Sequence, residues 1–203
     1  MTILLIRHGE TALNASRVLQ PPDTPLSERG LAQARAVAAR VAKLGAVGIL
    51  SSDMPRALMT AQAISQATGL PIRTTTLLHE RNFGDLRGRA YDSLDHDPIH
   101  AEEGPPNGES MTQFRERVAR AFDEIVAMRR TLDGNLVVVC HGLVIRVLLE
   151  RHLSLNGLAA PERLANTSVT VFDLAEPYVV SLLNCEEHLL AADRDDGRSV
   201  VGV

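Results

Sequence analysis

The chain has 203 residues, enough for one domain (1–203) with a substantial core, and its 45% hydrophobic and 23% charged content is ordinary for a soluble globular protein. Lys and Arg number 21 against 25 Asp and Glu, a formal charge of -4, which gives no electrostatic reason to expect nucleic acid or an anionic membrane as partner. Any bound anion must therefore be held by a local cluster, and the positions of the arginines become the question.

In chain order, Thr2–Arg7 is a continuous apolar run ending before a glycine, the pattern of a strand buried on both faces. Ser27 reads as an N-cap, followed at helical spacing by Leu31, Ala34, Ala38, Val41 and Leu44, with Gly45 as the stop. Val47–Ser51 is a second strand. Pro55 suits the first turn of a helix that runs to about Thr68 and closes at Gly69. Pro71–Leu78 is β-branched and expected to be extended. Helical periodicity returns from Met111 to about Leu132, Asn135–Cys140 is the most apolar strand, and Leu143–Leu153 is the helix after it. Two late strands, Val169–Leu174 and Val179–Leu183, flank a turn at Glu176-Pro177 and could offer an edge for pairing, so monomer and homodimer both stay open.

This alternation predicts an α/β protein, a three-layer α/β/α sandwich with a mostly parallel central sheet. The polar segment Leu86–Glu109 breaks the pattern and reads as a long loop or short-helix insertion, a kind of segment that usually serves function. The tail pair Asp195-Asp196 needs no functional reading. Cys140 and Cys185 are too few for a disulfide framework, each ends an apolar run, and no stretch is long enough to span a bilayer; a cytoplasmic protein with reduced thiols is expected.

Two His-Gly pairs follow apolar strands, Arg7-His8-Gly9 and His141-Gly142, and Ser51–Ala57 likewise leaves a strand and enters a helix. Ligands of open α/β sheets bind beyond the carboxyl ends of strands. Two histidines, Arg7, Arg56 and free helix N–H groups would there converge on a site suited to a phosphoryl group.

Leu5-Ile6-Arg7-His8-Gly9-Glu10-Thr11 resembles the signature of the histidine phosphatase superfamily, whose branches include the cofactor-dependent phosphoglycerate mutases. The resemblance continues through Asn14, Leu26-Ser27, Gly30, Gln33-Ala34, Ser52-Asp53, Arg56-Ala57 and Thr60-Ala61. It resumes at Glu80, Phe83-Gly84, Gly88, Gly108-Glu109-Ser110, His141-Gly142, Ile145-Arg146 and Asn166. It implies a phosphoglycerate mutase-like fold in which His8 attacks phosphorus and becomes a phosphohistidine. Arg7, Arg56 and His141 hold the equatorial oxygens, with Asn14 adding a hydrogen bond and Gly142 lying in the same binding segment. Glu80 is implied as general acid toward the leaving alkoxide and then base toward water, with Asp85 a nearby competitor. Positive charge then comes from side chains, so neither metal nor organic cofactor is expected.

An attacking imidazole must be neutral, which calls for its other ring nitrogen to be tied to a backbone carbonyl and for neighbouring cations to depress its pKa. Taken singly, a histidine after a strand is more often structural; the ordered series makes the difference. The remaining histidines, His79, His96, His100, His152 and His188, read as solvated or structural, and Cys140 as a small buried side chain open to oxidation if the arginines lower its pKa. The substrate expected is a small phosphorylated metabolite whose identity is set by a lid formed from 86–109. A phosphatase is favoured over a mutase, because the insertion lacks the paired arginines with which mutases grip substrate. Arg81, in the mutase-like Glu80-Arg81 pair, points the other way, since in that pattern it helps to bind a substrate carboxylate. A non-catalytic phospho-ligand-binding relative is the third reading.

Overall fold

The computed structural model describes residues 2–194, so the Asp195-Asp196 pair lies outside the described residues. Six strands form one mixed sheet: β1 (Thr2–Arg7), β2 (Ala46–Ser51), β3 (Ile72–Thr74), β4 (Asn135–Cys140), β5 (Val169–Asp173) and β6 (Val180–Cys185). Their order is β3-β2-β4-β1-β5-β6; the first four run parallel and the last two antiparallel. The helices are the short α1 (Ala12–Ala15), then α2 (Glu28–Val41), α3 (Pro55–Thr68), α4 (Met111–Arg130) and α5 (Gly142–Arg151).

The continuous apolar runs of β1 and β4 are explained by the two faces they must cover. Leu4, Ile6, Val137 and Val139 join Val37, Val41, Ala57, Ala61 and Ile64 of α2 and α3 in one core. Ile3, Leu5, Leu136, Val138 and Cys140 face the other way, against Phe114, Val118 and Ile125 of α4 and Val144 and Leu148 of α5. Successive side chains of a strand alternate between faces, so a run buried on both sides carries no polar residue at either parity. At about 1.5–3 kcal/mol for each large aliphatic side chain withdrawn from water, these two layers fix the register of the central strands.

The punctuation also has local causes. The Ser27 side chain accepts from Gly30 N at the start of α2, and Pro55 begins α3, which Gly69 closes at φ +73°. The α2 helix stops earlier than expected, at Val41; Gly45, at φ +62°, instead turns the chain into β2. Pro71–Leu78 is extended only over Ile72–Thr74. From Thr76 to Leu78 the chain makes a 3₁₀ turn, because the Thr75 side chain accepts from Leu77 N and so supplies an N-cap. That turn lifts the chain off the sheet just before Glu80. Residues 86–109 contain no α-helix or strand, as the composition predicts. Among the described residues no helix is long and apolar enough to cross a membrane.

Candidate active site

Register places the site. Arg7 of β1 pairs in parallel with Cys140 of β4, so His8 and His141, one residue on, emerge side by side with ring centroids 5.1 Å apart. Ser51 of β2 is level with Val139, which sets Ser52 beside them, and its Oγ lies 2.9 Å from His141 Nε2. On the opposite flank, Asn166 Nδ2 donates to the His8 carbonyl at 3.0 Å and Thr167 N donates to that of Arg7 at 3.1 Å. The loop after β1 is held by side chains of α2 and α3: Gly9 N donates to Thr60 Oγ1 and Glu10 N to Gln33 Oε1. Gly9 and Gly30 meet backbone to backbone. A Cβ on Gly30 would lie 2.0 Å from the Glu10 carbonyl oxygen, and one on Gly9 2.6 Å from that of Gly30, so both positions require glycine.

His8 is 1% exposed, and its Nδ1 lies 2.7 Å from the Gly9 carbonyl oxygen. A carbonyl can only accept, so Nδ1 carries the proton and the Nε2 lone pair is left for chemistry. Burial, then Arg56, then Arg7, hold the imidazole well below its usual pKa, while the Gly9 bond pulls weakly the other way. His141 is depressed likewise, by burial and then by Arg56. Both rings are neutral in the resting protein.

Arg7 is buried and donates to the Leu164 carbonyl, and Arg56 is 2% exposed. Among the described residues the Arg56 guanidinium makes only long contacts, 3.4 Å to the Pro21 carbonyl and 3.4 Å to Met54 Sδ, and its buried Nε has no hydrogen-bond partner. Burial lowers its pKa to about 10, with Arg7 and Arg87 contributing and Glu80 opposing. A desolvated guanidinium so weakly satisfied is suited to pairing with an anionic oxygen.

Glu80 reaches the cluster from the turn after β3 and is 5% exposed. Its Oε1 accepts from Arg81 N at 2.9 Å and its Oε2 from Leu143 N, in the first turn of α5, at 3.1 Å. Burial raises its pKa against these two donors and against Arg56 and Arg7. Asp85 faces away; its carboxylate accepts from Asn107 on the exposed side of the insertion.

Most of the residues expected at the site are thus brought to one edge of the sheet: Arg7, His8, Arg56, Glu80, His141 and Gly142, with Asn14 buried in α1 just beyond β1. Arg81 is the exception. Its guanidinium turns into the insertion and donates to the carbonyls of Glu109, Pro98, Ile99, Ala101 and Glu103, so it braces that segment and has no donor left for a ligand carboxylate. Cys140 also departs from the expectation of possible oxidation. Its thiol is fully buried, and burial with the nearby Glu80 carboxylate pushes its pKa far up.

A cleft of about 550 Å³ opens over Glu80, walled by Met54, Thr76, His79, Asn82, Arg87, Glu109, Gln113, Glu116, Arg117 and Arg120. Arg7, His8 and His141 lie behind this wall, each at most 1% exposed, so the cleft meets the cluster at Glu80. Of the insertion, only Arg87 and the Gly108-Glu109 end line this cleft; Leu86, His96, Pro98, Ala101 and 103–106 border a separate groove. His79, read from sequence as solvated or structural, is paired with Asp53 at the cleft wall. Among the described residues no three His, Cys, Asp or Glu side chains form a metal-ligating group.

Sequence and fold are shared with known proteins. The family model described as the histidine phosphatase superfamily (branch 1) matches residues 3–185. The probable phosphoglycerate mutase GpmB of Yersinia pestis is 36% identical over 193 residues, 89% of each chain. Among solved structures, Bacillus stearothermophilus YhfR superposes with a TM-score of 0.79 at 29% identity, covering 92% of this chain and 98% of that one. The mycobacterial glucosyl-3-phosphoglycerate phosphatase complexed with VO3 gives 0.77 at 29% identity, covering 91% and 99%.

Proposed function

Since the chain belongs to the histidine phosphatase superfamily, we propose that it hydrolyses a small phosphate monoester through a phosphohistidine on His8. The observation that carries this reading is one buried cluster in which His8 Nε2 is left free by the Gly9 bond to Nδ1, beside Arg7, Arg56 and His141, while Glu80 reaches the same edge from the turn after β3. Burial pushes the His8 pKa down and that of Glu80 up. The His8 Nε2 lone pair attacks phosphorus as the P–O ester bond breaks, and Glu80 gives its proton to the departing alkoxide. Water then attacks the phosphohistidine and gives a proton to the Glu80 carboxylate as the P–N bond breaks, releasing inorganic phosphate and restoring neutral His8. Arg7, Arg56 and His141 hold the equatorial oxygens, and their charge and hydrogen bonds need no reorganisation as the reaction proceeds.

Hydrolysis is favoured over mutase-type transfer by the engagement of Arg81. A mutase must retain its product for a second transfer, and the side chain that would grip a substrate carboxylate is committed to five backbone carbonyls. A leaving group that is itself anionic is favoured by Arg87 and Arg120, which line the cleft with guanidinium groups that make no ion pair or hydrogen bond among the described residues. Glu116, one turn from Arg120 on α4, leaves the wall mixed in sign, which suits one extra anionic group rather than a polyanion.

The test is phosphate release, with EDTA present, from ester pairs that differ by a carboxylate, such as glycerol 3-phosphate and 3-phosphoglycerate. Formation of 2-phosphoglycerate is followed with and without 2,3-bisphosphoglycerate. Release without a bisphosphate primer, faster for the carboxylated ester, is expected. Primer-dependent isomerisation with little release would replace the phosphatase reading by the mutase one.

A further inference from the structure

The cleft wall holds a charged pair that the chemistry above does not use. Arg117 of α4 and Glu109 at the end of the insertion each have side chains 15% exposed and are joined twice, Nε to Oε1 at 2.9 Å and Nη2 to Oε2 at 2.8 Å. Two-point guanidinium–carboxylate geometry in a partly desolvated place fixes both groups more firmly than a surface ion pair would. The rest of the guanidinium faces the chain that carries Glu80. Nη1 donates to the carbonyls of Leu77 and His79 at 2.8 Å each, and Nη2 approaches that of Glu80 at 3.4 Å. Glu109 completes the bracket from the far side, accepting from Asn82 N at 3.3 Å.

We propose that Arg117, held by Glu109, is a positioning residue that sets the reach of Glu80 toward the leaving-group oxygen. The proposal rests on the reading of Glu80 as the acid. The 3₁₀ turn at Thr76–Leu78 ends at Leu78, and neither strand nor helix hydrogen bonds fix Glu80 itself. Its backbone is located by Arg117 on the carbonyls before and at it, and by Glu109 two residues after it. A proton donor is effective only over a few tenths of an ångström, so a loosened bracket weakens proton transfer while leaving the phosphoryl pocket of His8, Arg7, Arg56 and His141 intact.

The experiment compares an alkyl phosphate, whose leaving group needs a proton, with p-nitrophenyl phosphate, whose leaving group does not. It uses the full chain in wild-type and Glu80→Gln backgrounds. Arg117→Ala should lower kcat on the alkyl ester roughly 10–100-fold and on p-nitrophenyl phosphate only about threefold or less. In the Glu80→Gln background it should add almost nothing on either ester. Arg117→Lys should recover part of the alkyl-ester rate, because an ammonium still donates to the Leu77 and His79 carbonyls but cannot pair at two points with Glu109. Glu109→Gln, nearly isosteric, should give a milder version of the same selective loss and serves if Arg117→Ala does not fold. Equal losses on both esters, or an undiminished effect in Glu80→Gln, would overturn the positioning role. If Glu80→Gln by itself failed to separate the two esters, the acid assignment would fall first and the proposal with it.

Discussion

Replacing His8 by alanine is expected to lower turnover by roughly 10⁴-fold or more, because removing a nucleophile leaves only what binding and charge stabilisation supply. The same variant should accumulate no phosphoenzyme, measured by quenching a turnover mixture in base, where phosphohistidine survives, and assaying bound phosphate. His8 is buried between Arg7, Arg56 and His141, so its loss could also disturb the fold. His8→Asn, which keeps a polar side chain near the Gly9 carbonyl, is the companion variant, and unchanged circular dichroism with lost activity separates chemistry from unfolding. Turnover within tenfold of wild type in a folded His8 variant would exclude the phosphohistidine.

Glu80→Gln should slow alkyl phosphates by about 10²–10⁴-fold and p-nitrophenyl phosphate far less, since general acid catalysis matters in proportion to the basicity of the leaving group. The pH profile carries the same information. A pKa raised by burial keeps Glu80 protonated above the usual carboxylate range, so the wild-type rate on alkyl esters should fall as pH rises through that pKa. The glutamine variant should show no such limb. Stability follows the same direction. A group whose folded pKa is raised contributes stability that is complete below its unfolded pKa and is lost as pH rises through the folded one. Wild type should therefore lose stability as pH rises through that pKa, a dependence that Glu80→Gln lacks. Glutamine also sets an amide N–H against the N–H of Arg81 or Leu143, so circular dichroism and melting of the variant are measured beside its rates to separate slowness from unfolding.

The sequence made the central architecture legible because periodicity and punctuation acted locally. β1 and β4 are apolar at both parities, Pro55 and Gly69 bracket α3, and each of these features depends only on its own neighbours. Placing two His-Gly pairs at one sheet edge needed only the rule that parallel strands present their carboxyl ends together, and the register of Arg7 with Cys140 does this. What escaped sequence reading depends on distant partners. Thr75 captured the turn before Glu80 through a side-chain cap that competed with β-branched propensity. Arg81 stands beside Glu80 in the sequence, but its acceptors lie 17 to 28 residues away in the insertion. Arg117 sits 37 to 40 residues from the carbonyls it holds, a spacing that no motif on α4 announces.

The burial of Cys140 gives the enzyme a clock that needs no engineering. Its sulfur lies on β4, one residue before His141 and level with Arg7, with no exposure and with a pKa that keeps it a thiol. An alkylating reagent should modify the half-buried Cys185 in the folded protein, whereas Cys140 becomes reactive only when the α4 and α5 layer packed over it opens. The slow labelling rate counted by mass spectrometry then reports how often the helices come off the strand that presents His141. A ligand in the cleft that tightens this packing should slow the clock, and full labelling of both thiols at one rate would show that the layer over β4 is far looser than its packing implies.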